Sequence, residues 1–308
     1  MRTTILVLAL ISMFGIAEAQ TSAPTPKQTP ATGQTQTAPP EGGIQMQGTT
    51  PGAQTTPGAQ TPAPGPTGKR QPQAKNQEEF QAYQDVASKP DPAAMEQAAN
   101  AFATKYPDSE LRSALYQNLM LMYQNANNSD KTIEIGRKTV QLDPDNAVAL
   151  VTVASTISIR TRESDLDKEE RLTEAKKDAS HAIELMQSGA GVPANLPADK
   201  VQMYKDTILA NAYGALGQSE FVNNNFPAAE QNLKKSVGYT DIAPDPISWF
   251  QLSLSLDRQG KYADAQAAAQ KCIDVAQGHP VAQYCTQERD HAKQAAANPP
   301  AKPATTPK

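Results

Sequence analysis

The stretch Trp249-Phe250-Gln251-Leu252-Ser253-Leu254-Ser255-Leu256-Asp257-Arg258-Gln259-Gly260-Lys261-Tyr262-Ala263-Asp264-Ala265 decides the fold. Trp249, Leu252 and Leu256 recur at intervals of three and four, which places them on one face of a helix. Gly260 and Lys261 interrupt that pattern, and Tyr262 with Ala265 opens a second apolar face. The reading is helix, tight turn, helix. Two other stretches share the layout. Ser113–Pro144 carries Tyr116, Leu119 and Tyr123 and closes on Leu142-Asp143-Pro144; Ala210–Ser236 carries Tyr213 and Leu216-Gly217, then Phe226, Ala229 and Leu233.

These stretches resemble the tetratricopeptide repeat, a 34-residue helix-turn-helix with the pattern W-x2-L-G-x2-Y, then A-x3-F and a closing Pro. The segment Trp249–Ala265 matches most fully, with Ser253 where the pattern has Gly and Ala269 where it has Phe. In the Ser113 stretch Met120 replaces the Gly and Gly136 the Phe, while the closing Leu142-Asp143-Pro144 keeps its place. The resemblance implies an all-α fold, an α-solenoid of stacked helix pairs.

Working outward from these three, Ala147–Ile159 follows Asp145-Asn146 directly and takes the place of a first helix. Its partner, through Leu172, Ala175, Ala179, Ala182 and Leu185, is displaced by an insertion over Arg160–Glu169. Upstream, Phe80, Tyr83 and Val86 mark one short helix, and Met95, Ala99, Phe102 and Tyr106 the next. A lone helix from Val281 to about Ala296 caps the array. The expectation is about five degenerate repeats plus a C-terminal capping helix over residues 76–297. Asp91-Pro92 and Asp245-Pro246 each supply a capping carboxylate followed by Pro at the first helical position. Asp167 with Glu170 reads as a capping box. Pro193 and Pro197 break the chain before a helix from about Ala198 to Phe221. Ala147–Ile159 is rich in β-branched residues and would be a strand on propensity alone. Helical neighbours and burial on two sides override that preference, which is well under about 1 kcal/mol per residue.

The flanks read differently. Arg2, the apolar run Ile5–Ile16 and Ala17-Glu18-Ala19 form a signal-peptide pattern over residues 1–19, with cleavage expected after Ala19 and an uncleaved anchor as the alternative. Residues 20–75 are dominated by Pro, Thr, Gln, Ala and Gly, with Thr49–Gln54 repeated as Thr55–Gln60. Such a segment has too little apolar surface to offset its ordering entropy, so a disordered tether is expected, with a coil dimension of about 40 Å. A short tail over 298–308 has similar composition. Lys27, Lys69, Arg70 and Lys75 face only Glu41 in the tether, and Lys302 and Lys308 stand in the tail. The chain's net charge of -4 therefore becomes -9 over residues 76–297. An acidic folded region argues against a nucleic-acid partner. The Lys69-Arg70 pair reads as solvation of a linker, with a processing or wall-contact site as the alternative.

In the resembled family the first helices line a concave groove that holds extended peptides or partner helices. The matching faces carry Gln117, Leu121, Gln124 and Asn125; Val151, Ser155 and Ser158; Asn211, Gln218 and Phe221; and Phe250, Leu254, Asp257 and Arg258. This groove is polar, mostly uncharged and dotted with apolar contacts. It lacks the basic cluster with which chaperone-binding members grip a terminal carboxylate.

No catalytic motif emerges, so no enzyme, cofactor or metal is expected. His181 and Glu184 are two ligands and insufficient. Glu163, Asp165, Asp167 and Glu169 lack the Gly and closing Glu of a calcium loop. His279 precedes Pro280 at a helix start. Cys272 and Cys285 are the two cysteines of a chain read as exported, and a disulfide between the last repeat and the capping helix is expected, two inert thiols being the alternative. The functional expectation is a periplasmic or secreted scaffold that binds a protein or extended peptide, with no membrane span after signal removal. An envelope structural protein holding glycan or lipid is the alternative.

Overall fold

Eleven α-helices form the fold in the computed structural model, which describes residues 68–239 and 245–298. The signal peptide, the tether up to residue 67 and the tail from residue 299 lie outside the described residues. The helices are α1 (Gln77–Ala87), α2 (Pro92–Lys105), α3 (Leu111–Asn125), α4 (Ser129–Leu142), α5 (Ala147–Arg160), α6 (Lys168–Ser188), α7 (Ala198–Val222), α8 (Phe226–Gly238), α9 (Pro246–Asp257), α10 (Tyr262–Ala276) and α11 (Ala282–Ala297). No strand forms among the described residues beyond one isolated bridge.

Local chemistry sets the helix starts. Asp91 accepts a hydrogen bond from Ala94 N at 2.9 Å. Asp245 accepts from the backbone of Ile247 and Ser248, each at 3.0 Å. Asn146 caps α5 by accepting from Ala149 N, also at 3.0 Å. Each such cap contributes about 1 kcal/mol. Asp167 departs from expectation: it stands at the N-cap of α6 but makes no side-chain capping bond, and lies instead 3.9 Å from the Arg171 guanidinium one turn on. Gly260 ends the α9 segment at φ 72°, a conformation that an L side chain rarely adopts.

The β-branched segment is helical, and its surroundings explain why. Ten of the fourteen residues of α5 are buried, enclosed by α4, α6 and α7. A strand there would leave its backbone donors without partners, whereas a helix satisfies them internally.

The packing pattern is that of a solenoid. Each helix packs on the next, and the odd-numbered helices also meet one another in sequence, α1 on α3, α3 on α5, α5 on α7, α7 on α9 and α9 on α11. No two even-numbered helices pack together. The result is an inner layer of odd helices and an outer layer of even ones. Tyr116 and Leu119 are buried in this arrangement, as are Leu252 and Leu256, while Trp249 packs half-buried between two of the core clusters.

One contact recurs in two helix pairs between residues sixteen apart in the chain, and a third pair has buried residues at the same spacing. Gly217 of α7 faces Leu233 of α8, and a Cβ at Gly217 would lie 2.5 Å from Leu233 Cγ. In α3 and α4 the sizes are exchanged: Met120 stands on the first helix and Gly136 on the second, where a Cβ would meet Met120 Sδ at 3.1 Å and Val153 Cγ2 at 2.4 Å. In α9 and α10 the corresponding residues are Ser253 and Ala269, both fully buried. Where Met120 and Gly136 depart from the repeat pattern, the two departures therefore compensate in volume.

The folded region begins earlier than expected. Residues 68–75, assigned above to the tether, run along the domain. Lys69 N donates to Val192 O at 2.6 Å and Ala194 N donates to Lys69 O at 2.9 Å. Lys69 Nζ pairs with Asp143, and the Arg70 guanidinium makes a two-pronged pair with Glu110 at 2.7 and 2.8 Å. Gly68 is required by the close approach, since a Cβ there would meet Val192 O at 2.8 Å. The Lys69-Arg70 pair is thus a domain contact and not linker solvation. Its decisive part is backbone pairing, which no composition reveals.

Cys272 and Cys285 lie at bonding distance with Cα atoms 5.9 Å apart, joining α10 to α11 as expected.

Two measurements check this packing. Gly217→Ala should destabilise by about 1–3 kcal/mol by overpacking and Leu233→Ala by about 2–5 kcal/mol by cavity formation. The double variant should cost less than their sum in urea unfolding, because the truncated Leu233 makes room for the new Cβ. Strict additivity would refute the contact. Reduction of the disulfide should lower stability by about 3 kcal/mol, seen as an earlier melt with reductant, and an unchanged midpoint would contradict a bridge.

Candidate functional site

An inner layer in which neighbours touch, opposed to an outer layer in which they do not, is the shorter of the two. The odd-numbered helices therefore line the concave side. Side chains on them that are neither buried nor committed to a neighbour are what that side presents.

On α3, Gln117, Leu121 and Gln124 are half-buried and Asn125 is exposed. Gln117 Oε1 accepts from Asn146 Nδ2 at 2.8 Å, which ties the α3 face to the cap of α5. On α5 the expected set needs correcting. Val151 and Ser158 are buried, Val151 within the main core cluster, and Ser158 Oγ donates to Ser155 O. The half-exposed residues of this helix are Val148, Ser155, Ile159 and Arg160. The error is one of rotational phase: a helix that is apolar almost all round offers no polar stripe from which to read which side is open.

On α7, Asn211 and Gln218 are half-exposed, and Asn211 Nδ2 donates to Thr207 O of its own helix. Phe221 packs edge-on against Phe226, ring centroids 5.5 Å apart, so its ring braces the start of α8. On α9, Phe250 lies against the cluster built on the disulfide, 6.3 Å from the Tyr284 ring. Leu254 is half-buried and Arg258 is exposed. Asp257 contacts the capping helix, with Oδ1 3.2 Å from His291 Nδ1. The open set is then Leu121, Gln124 and Asn125 with Ser155, Ile159, Asn211, Gln218, Leu254 and Arg258, while Gln117 is held by Asn146 and Val148 packs on the main core cluster. Amides alternate with aliphatic side chains in it.

Because α7 meets α9 at few residues, the relative rotation of these two repeats depends on the outer layer. Glu230 of α8 supplies the link. It receives hydrogen bonds from Lys261 and Lys234, each at 2.6 Å, and from Gln259 at 2.9 Å. Gln259 also donates to Phe226 O at 3.2 Å. Burial alone would raise the Glu230 carboxyl, but these donors outweigh it and hold the group at about 2, below its usual 4.5.

The other chemistry-bearing residues have structural partners. His181 Nε2 lies 2.8 Å from Asp145, and His279 Nδ1 accepts from Val281 N at 3.2 Å within its own turn. In the insertion between α5 and α6, Asp165 accepts from Arg162 N and Glu163 from Asn224 Nδ2. A shallow cavity of about 170 Å³ lies where α2 runs into α3, lined by Asp108, Ser109, Glu110, Arg112, Ser113 and Leu142. It is smaller than the roughly 300–1,000 Å³ usual for small-molecule sites.

Stacked helix pairs with a mixed amide and aliphatic inner face define a helical-repeat protein. Neither a protein-family model nor a curated protein matches the chain. No helix of the described residues is long and apolar enough to cross a membrane.

The Glu230 arrangement predicts a pH dependence. A carboxyl held below its unfolded value stabilises the fold above pH 4.5, and that contribution is lost as the pH falls toward 2. Glu230→Gln should therefore cost about 2–3 kcal/mol at pH 7, and the two unfolding curves should converge near pH 2. A constant difference across that window would show that the donors do not act through the charge.

Proposed function

We propose that this chain is an exported tetratricopeptide-type scaffold that binds a protein partner, as an extended peptide or a helix, along the inner face of its odd-numbered helices. It binds without catalysing. The observation that carries the reading is the inner layer itself: one face, shared by successive repeats, on which Leu121, Ile159 and Leu254 alternate with Gln124, Asn125, Asn211 and Gln218. Aliphatic contacts supply affinity through area removed from water, and amides satisfy the backbone of an extended ligand in either direction of donation. The signal-peptide pattern places the protein in the periplasm or outside the cell, where the cysteine pair is at home. The Pro- and Thr-rich tether gives it reach from wherever its end is held.

The reading is tested with matched baits. Wild-type protein and the double variant Leu121→Arg, Leu254→Arg, with equal helical content by circular dichroism, are incubated with envelope extract of the source cell. A partner retained by the wild type should bind the variant about tenfold or more weakly, the effect of losing central apolar contacts. Capture that is indifferent to both substitutions, or no partner at native abundance, would overturn it.

A further inference from the structure

At the end of the array, three side chains from two helices converge in a way that neither the core nor the groove uses. Asp257 is the last residue of α9. Glu288 and His291 lie three apart on α11 and so share one face of that helix. One carboxylate oxygen from each acid and a ring nitrogen of His291 all lie within 4.8 Å of one another. The Asp257 side chain is 15% exposed. Asp257 Oδ1 and Glu288 Oε1 are both closed off from solvent and accept no hydrogen bond. His291 Nδ1 stands 3.2 Å from Asp257 Oδ1, an ion-pair distance without hydrogen-bond alignment. Two desolvated carboxylate oxygens in one cluster, neither with a hydrogen-bond donor, are unfavourable unless a proton or a cation joins them.

We propose that Asp257, Glu288 and His291 bind one divalent first-row transition ion of the zinc type, fastening α11 to the end of α9. The spacing suits such an ion. Two donors at about 2.0–2.1 Å from a common tetrahedral centre stand roughly 3.3 Å apart, close to the separation of His291 Nδ1 and Asp257 Oδ1. Rotation of the Glu288 side chain brings in the third donor. One imidazole with two carboxylates suits zinc and its neighbours, whereas calcium and magnesium favour oxygen alone. The His291 side chain is 59% exposed, which leaves an entry path and room for water as a fourth ligand. Glu288 follows Cys285 by one turn, so the ion and the disulfide would hold the same helix at two points. This inference is independent of the groove reading.

The test uses the untagged full chain, stripped with EDTA and titrated with zinc chloride by calorimetry, with melting curves in parallel. One equivalent should bind at micromolar affinity or tighter, and saturation should raise the melting temperature by about 5 °C. His291→Ala and Glu288→Gln should each weaken binding roughly tenfold or more, since even outer-shell losses cost that much. His181→Ala, at a separate ion pair, should leave the affinity unchanged. Metal-free melting curves establish that the variants are folded. Absence of saturable zinc binding to the wild type, or binding that survives both site substitutions, would overturn the proposal.

Discussion

No helix pair in this chain can bury its apolar face by itself, and everything else in the structure depends on neighbours completing that burial. The contact is made at fixed positions. Sixteen residues separate the facing members in two pairs, and there the combined volume is kept while the individual sizes are exchanged: Gly217 against Leu233 and Met120 against Gly136. A close-packed interior tolerates exchange of volume across a contact better than a change in its total. That is why a degenerate repeat pattern still yields one regular stack, with odd helices in register on the inside.

What the sequence made legible follows from the same physics. Two helix starts were readable because capping is local chemistry: Asp91 and Asp245 act within three residues of themselves. The turn at Gly260 and the register of the strongest repeat were readable because glycine and apolar spacing carry their meaning in the chain itself. The helical state of Ala147–Arg160 had to be argued from its neighbours, since its own residues favour extended backbone.

Three features were not legible, each because it depends on contacts distant in sequence. The phase of α5 is set by which neighbours enclose it, and its composition offers no contrast to reveal that Ile159 is open while Val151 and Ser158 are buried. The convergence of Asp257 with Glu288 and His291 needs the capping helix to fold back on α9, and a scan for closely spaced ligands sees Glu288 and His291 alone. The pairing of Lys69 with Val192 and Ala194 arises between a segment of linker-like composition and a turn two repeats away. Composition suggested a free linker at the point where the chain is in fact tied down.

That tie has a mechanical consequence. Lys69 joins the domain at the turn between α6 and α7 and at Asp143, ahead of the contacts that Arg70 makes with Glu110 and Lys75 with α1. Tension arriving along the chain from the N-terminal side is thus delivered to the middle of the stack, through two backbone hydrogen bonds and an ion pair loaded together, before the first helix feels it. The leading repeat is shielded behind a cleat, and a strong pull would have to break the cleat before it could begin to peel helices from the end.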